Sequence, residues 1–151
     1  MKVYLVQHGK AEDDALTVEG LREVHEVAMF MRPNMNVNSI VHSVKHRAKE
    51  TAEALAFLLS PIDGVKEVEG LKPMDDPKIW TNWIDSETKN IMLVGHLPHL
   101  NKLAEKLLMG QDFISLQSEL QIRFKNGGIV CLERDDDWHY HVSWAVIPEI
   151  L

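Results

Sequence analysis

Residues 39–59 read SIVHSVKHRAKETAEALAFLL. Ser39 to His42 form a short apolar run of the kind that makes a buried strand. From Ala48 onward the pattern changes. Ala48, Ala52, Leu55, Ala56 and Leu59 recur three and four apart, the spacing of one helix face, and Pro61 ends the run. A buried strand passing directly into an amphipathic helix is the unit from which parallel sheets are built.

The unit recurs on both sides. Upstream, Lys2 to Val6 predicts a strand stopped by Gly9. Thr17 to Met31 then predicts a helix with Leu21, Val24, Ala28 and Met31 as its stripe, Thr17 as N-cap and Pro33 as stop. Downstream, Ile91 to Val94 predicts another strand and Pro98 to Met109 another helix. Pro98 sits near its first turn, Leu100, Leu103, Ala104, Leu107 and Leu108 form its stripe, and Gly110 closes it. Ile129 to Glu133, the acidic turn Asp135 to Asp137 and His139 to Val146 predict an antiparallel hairpin at a sheet edge. Between Gly64 and Glu87 the pattern is weakest, with Trp80, Trp83 and Ile84 indicating a short helix opened by Asp76-Pro77. Together these predict an α/β fold, a three-layer α/β/α sandwich with a mostly parallel central sheet and an antiparallel C-terminal edge hairpin. With 151 residues and neither repeat nor linker, one domain over residues 1–151 is expected.

Composition removes several classes. Lys and Arg number 16 against 23 Asp and Glu, so the net charge of −7 repels polyanions, and no basic patch offsets it for nucleic acid. No apolar run approaches the roughly 18 residues that span a bilayer. Met1 to Lys10 carries only a four-residue apolar stretch, short of the 7 to 15 or so of a secretory segment, so a cytoplasmic location is expected. Cys131 stands alone, which excludes an intrachain disulfide and reads as a small buried hydrophobe.

In open α/β sheets ligands bind beyond the carboxyl ends of the strands. Three strand exits carry polar residues here: Gln7-His8-Gly9, then Ser43 with Arg47 at the following helix start, then Gly95-His96 ahead of the next helix. Two imidazoles, a guanidinium and two helix N-termini at one crevice suit a phosphoryl group.

In order and position these residues resemble the histidine phosphatase superfamily, specifically its short SixA-like branch of phosphohistidine phosphatases. The landmarks are His8-Gly9 in VYLVQHGKAE, LTVEG opening the first helix, Ser43, Arg47, Ala48 and Thr51 in HSVKHRAKETAE, and Gly95-His96 in IMLVGHLPHL. The resemblance implies a phosphoglycerate mutase-like fold and His8 as a nucleophile that carries a transient phosphohistidine. It implies that Arg47 and His96 hold the phosphoryl oxygens, with Gln7, Gly9 and Ser43 at the same phosphate site and with neither cofactor nor metal. A neutral imidazole is nucleophilic near pH 7 when its other nitrogen is pinned as a donor, for instance to the carbonyl of Gly9.

The chain departs from the family pattern at two positions. Gln7 stands where the family has Arg before the nucleophile, and Asp14 stands where many SixA-like members have Arg two residues before the Leu-Thr pair. Lys10 or Lys45 could restore a charge, although each reads first as a solvated lysine. Glu69, Asp75 and Asp76 are the candidate general acids, and none lies in an alignable motif. An imidazole leaving group needs less protonation than an alkoxide, so phosphohistidine on a protein is the preferred substrate. The expected partners are therefore a phosphorylated protein or a small phosphate ester, with phosphate or sulfate able to enter the pocket. Two alternatives stay open: a small-molecule phosphomonoesterase on the same site, and a phosphate-binding protein that lost catalysis with the arginine before His8.

The remaining histidines have blander readings. His42 and His46, or His96 and His99, have metal-like spacing without a completing carboxylate or thiolate, although His42 could border the pocket. His139 and His141 fit an exposed strand face, and His25 fits a helix surface.

Overall fold

Val3, Tyr4, Leu5 and Val6 are almost completely excluded from solvent. The strand that holds them, β1 (Lys2–Gln7), runs through the middle of a six-stranded sheet in the computed structural model, which describes residues 1–110 and 122–151. The chain continues through a small hairpin, β2 (Ala11–Glu12) and β3 (Ala15–Leu16), into helix α1 (Val18–Met31). There follow β4 (Ser39–His42), α2 (His46–Leu59), β5 (Val65–Glu67), α3 (Lys78–Ser86), β6 (Ile91–Gly95), α4 (His99–Met109), β7 (Ile129–Arg134) and β8 (Tyr140–Val146). The sheet order is β5-β4-β6-β1-β7-β8. The strands from β5 to β1 pair in parallel, and β7 and β8 add as an antiparallel edge hairpin. This is the expected α/β sandwich.

Alternate residues of β1 feed two cores. Tyr4 and Val6 pack with Met92 and Val94 of β6 beneath Val24, Val27, Ala52 and Leu55 of α1 and α2. Val3 and Leu5 pack with Ile91 and Leu93 beneath Ile84, Leu100 and Leu103 of α3 and α4. Burial on both faces is why these strands read as unbroken apolar runs. The helix signals also act where the sequence puts them. Thr17 Oγ1 accepts from Gly20 N at 2.9 Å, Asp76 Oδ1 accepts from Lys78 N at 2.9 Å at the start of α3, and Gly110 ends α4 at φ +87°.

Leu21 differs from expectation: it is 41% exposed, and the buried face of α1 runs instead through Gly20, Val24, Val27, Ala28 and Met31. The close contact lies at Gly20, which packs against the backbone of Lys10 and turns Leu21 outward. A Cβ at Gly20 would collide with the Lys10 carbonyl oxygen, backbone that cannot step aside as a side chain would. Gly20→Ala should therefore destabilise the protein by about 1–3 kcal/mol or more through overpacking. The measurement is thermal unfolding, where a drop of about 2–4 °C per kcal/mol is expected for a chain of this size. An unchanged midpoint would show that the helix can shift without penalty.

Candidate active site

Gln7 pairs with Gly95 and His42 with Val94, so β1, β6 and β4 end at one edge of the sheet. The residues just beyond are held there by backbone bonds, His8 N to Gly95 O and Ser43 N to Val94 O, both 3.1 Å. Helix α2 begins three residues after Ser43 and carries Arg47 in its first turn back toward His8.

His8 Nδ1 lies 2.8 Å from the Gly9 carbonyl oxygen. A carbonyl can only accept, so Nδ1 carries the proton and Nε2 keeps its lone pair. That lone pair faces Arg47 Nε at 3.2 Å. The His96 ring centroid is 5.1 Å from that of His8, and His96 Nε2 lies 2.8 Å from Ser43 Oγ. His42 turns its Nδ1 to the Ser43 carbonyl oxygen at 2.8 Å and so borders the cluster without entering it.

Thr51, one turn after Arg47, sets the geometry of the loop at His8. Its hydroxyl donates to Arg47 O at 2.8 Å and accepts from Gly9 N at 3.0 Å. Gly9 is thus tied to α2 by its N–H while its carbonyl pins His8. A Cβ there would lie 3.0 Å from Val24 Cγ2 and 3.1 Å from Leu16 Cδ2, so any side chain at this position would press on both. Asn126 Nδ2 donates to His8 O at 3.1 Å, and Gly127 N to Gln7 O at 3.0 Å, fixing the loop from the other side.

Asp14 has a place that the sequence did not reveal. The turn between β2 and β3 holds Asp13 and Asp14 in the left-handed region, φ +49° and +64°, and points the Asp14 carboxylate at the start of α2. It accepts from His46 N at 3.1 Å, from Arg47 N at 3.3 Å and from Arg47 Nη1 at 2.8 Å. Burial pushes its pKa up, but the bonds from Arg47 and the helix N–H groups outweigh this and hold it below the usual carboxylate range. One sequence signal pointed here: Lys45, at the N-cap of α2, has no side-chain acceptor for the free N–H groups. An acceptor had to come from elsewhere in the chain.

Among the sequence candidates, the structure therefore brings His8, Gly9, Ser43, Arg47 and His96 together. Gln7 shares the parity of Val3 and Leu5, on the α3 and α4 side of β1, and its Oε1 is buried without a partner among the described residues. Lys10 is held by Glu19 and Glu23 at 3.1 and 2.9 Å, away from any substrate role. Lys45 remains near enough for its charge to act on His96. Of the candidate acids, Glu69 is exposed, Asp75 accepts from Lys72 N at 2.9 Å, and Asp76 accepts from Lys78 N at the start of α3. No group of three His, Cys, Asp or Glu among the described residues is arranged to hold a metal ion.

Both central imidazoles are kept neutral. Burial lowers the His8 pKa, and the bond to Gly9 opposes the shift while the Arg47 charge adds to it. Burial, then the charges of His8 and Arg47, push His96 down to about 4. His8 should thus keep its lone pair at pH 6.5 and lose it only as pH falls through its depressed value. Turnover should show an acid limb with a midpoint below 6.5, and a midpoint at or above 7 would contradict this. Stability follows the same sign. Below pH 6.5 the unfolded chain takes up protons that folded His96 refuses, so unfolding free energy should fall between pH 6.5 and about 4. At about 1.4 kcal/mol per pH unit, His96 alone contributes about 3 kcal/mol, readable by urea unfolding across that range.

No family model matches the chain. An uncharacterized protein of Picosynechococcus is 30% identical over 126 residues, covering 74% of this chain and 75% of that protein. Among solved structures, the protein histidine phosphatase SixA complexed with tungstate superposes with a TM-score of 0.84 at 20% identity, over 99% of each chain. A mycobacterial glucosyl-3-phosphoglycerate phosphatase complexed with VO3 gives 0.73 at 13% identity, over 95% of this chain and 97% of that one. Phosphoglycerate mutase from Plasmodium falciparum gives 0.69 at 18%, over 95% and 88%. Among the described residues no helix is long and apolar enough to cross a membrane. The chain belongs to one family with the Picosynechococcus protein, and its fold is the one seen in the SixA structure.

Proposed function

We propose that the protein is a phosphatase that takes a phosphoryl group from phosphohistidine on another protein, through a covalent phosphohistidine on its own His8. The observation that carries this reading is the 2.8 Å contact of His8 Nδ1 with the Gly9 carbonyl, which leaves Nε2 as a nucleophilic lone pair beside a guanidinium. Nε2 attacks phosphorus in line and the bond to the departing imidazole breaks, its nitrogen taking a proton from solvent. Water then attacks phosphorus on His8, releasing phosphate and restoring the neutral ring.

Arg47 turns its N–H groups from His8 to the phosphoryl oxygens, and His96, Ser43 and the loop at Gly9 complete the cradle, with Gln7 adjacent. Fixed donors of this kind supply most of the catalysis in phosphoryl transfer. Two fold relatives are complexed with tungstate and with VO3, which supports the reading of this chain as a binder of tetrahedral oxyanions. The substrate preference rests on proton supply. Among the described residues Asp14 is the carboxylate bonded to Arg47 in the His8 cluster and is ionised there, while Asp75 and Asp76 accept in local turns and Glu69 is exposed, so an alkoxide leaving group would find no acid bonded into the cluster.

The test compares turnover of a histidine-phosphorylated protein with that of simple phosphate monoesters. A positioned acid contributes about a hundredfold to ten-thousandfold to ester cleavage, and kcat/KM should favour phosphohistidine by a factor in that range. Equal or better turnover of esters would replace this reading with a small-molecule phosphomonoesterase. No turnover of either, with tungstate still bound, would leave a phosphate-binding protein.

A further inference from the structure

Helix α1 is apolar on two sides. Its inner face, through Val24, Val27, Ala28 and Met31, belongs to the core. Its outer face also carries large apolar side chains: Val18 is 88% exposed, Leu21 41%, Met29 56% and Phe30 61%. These line a groove of 720 Å³ that reaches Leu151. A helix apolar on both sides is ordinarily covered on both, and apolar patches of this kind mark contact surfaces.

The order of side chains along the groove says what covers it. Val18 and Leu21 lie at one end, Met29 and Phe30 at the other, and Arg22 and Glu26 flank His25 in the middle. Read from either end the pattern is apolar, charge, His25, charge, apolar, with the charges opposite in sign. That is the condition for a surface to bind itself across a two-fold axis, where each contact occurs twice with the partners exchanged. We propose that α1 is the interface of a homodimer, two copies of the helix packing antiparallel about an axis beside His25. Val18 and Leu21 then meet the second copy's Met29 and Phe30, and Arg22 meets the second copy's Glu26. Parallel packing would set Arg22 against Arg22 and Glu26 against Glu26, so the charges select the antiparallel arrangement. The His8 cluster lies at the carboxyl edge of the sheet and contributes nothing to this surface, so the dimer stands or falls apart from the phosphatase reading.

Sedimentation velocity at micromolar protein should give a species of twice the 17.3 kDa chain mass. Arg22→Glu sets two acidic side chains against each other and should yield monomer. The exposed Arg22–Glu26 pair within one helix is worth only about 0.2–0.5 kcal/mol, so this variant should fold. Arg22→Glu combined with Glu26→Arg restores opposite charges across the axis and should restore the dimer. Leu21→Glu should give a folded monomer by circular dichroism. Wild-type protein that sediments as a monomer, or a dimer indifferent to all three variants, overturns the proposal. So does a monomer that instead binds lipid vesicles through this face.

Discussion

His8→Ala is expected to lower kcat/KM toward a phosphohistidine substrate by about ten-thousandfold or more, the scale of losing the nucleophile in a covalent mechanism. No neighbouring imidazole is placed to take over. His96 meets Ser43 Oγ through Nε2 while its Nδ1 is buried, and His42 is turned to the Ser43 carbonyl. The fold should survive, because His8 is only half-buried and Arg47 keeps its bond to Asp14. The sharper readout is covalent. Brief exposure of wild-type protein to a phosphoryl donor and quenching in base should trap an acid-labile phosphoryl label, and His8→Ala should carry none. A variant that retains the label, or loses less than about tenfold in rate, would place the attacking group elsewhere.

The parts of the molecule legible in the sequence are those where burial dictates composition. β1, β4 and β6 are enclosed by helices, so Val3 to Val6 and Ile91 to Val94 had to be apolar, and their ends located His8, Ser43 and His96 at one crevice. The Thr17 cap and the Gly110 stop were legible because orphan backbone groups demand particular residues. β5 was not: Val65, Lys66 and Glu67 form an exposed edge strand with no buried face to impose a pattern. The β2–β3 hairpin escaped because its two-residue turn is Asp13-Asp14, without the glycine that usually marks left-handed turn positions.

The site was legible only up to its internal contacts. Strand exits could bring His8 and Arg47 near each other, but not determine that Arg47 divides its donors between His8 and Asp14. Asp14 entered the sequence reading as a departure from the family pattern. Its partners lie 32 and 33 positions away, and local periodicity carries no information about such a pairing. Thr51 belonged to a recognised motif, yet its bond to Gly9 N spans 42 positions and becomes visible only with coordinates.

Arg47→Ala is the second large effect, an expected loss of about a hundredfold to a thousandfold in kcat/KM if the guanidinium is the phosphate donor proposed above. One unit charge at about 4 Å with an effective dielectric near 20 is worth roughly 4 kcal/mol. Arg47 is a quarter exposed, which screens part of that. Part of the loss belongs to Asp14. Without the guanidinium, its carboxylate stays on the N–H groups of His46 and Arg47 and presents an unneutralised negative charge to the incoming phosphoryl group. Adding Asp14→Asn to Arg47→Ala should therefore recover about tenfold of that loss. Asp14→Asn alone removes the negative charge that opposes an anion at Arg47 and should tighten tungstate binding several-fold. It should also lower stability by about 0.5–1 kcal/mol, because a neutral amide caps α2 less well than a carboxylate. Titration of tungstate into the four proteins, with unfolding curves beside it, measures both quantities. If Asp14→Asn leaves tungstate binding unchanged both alone and in the Arg47→Ala background, the Asp14 charge does not oppose the anion and the residue acts only at the start of α2.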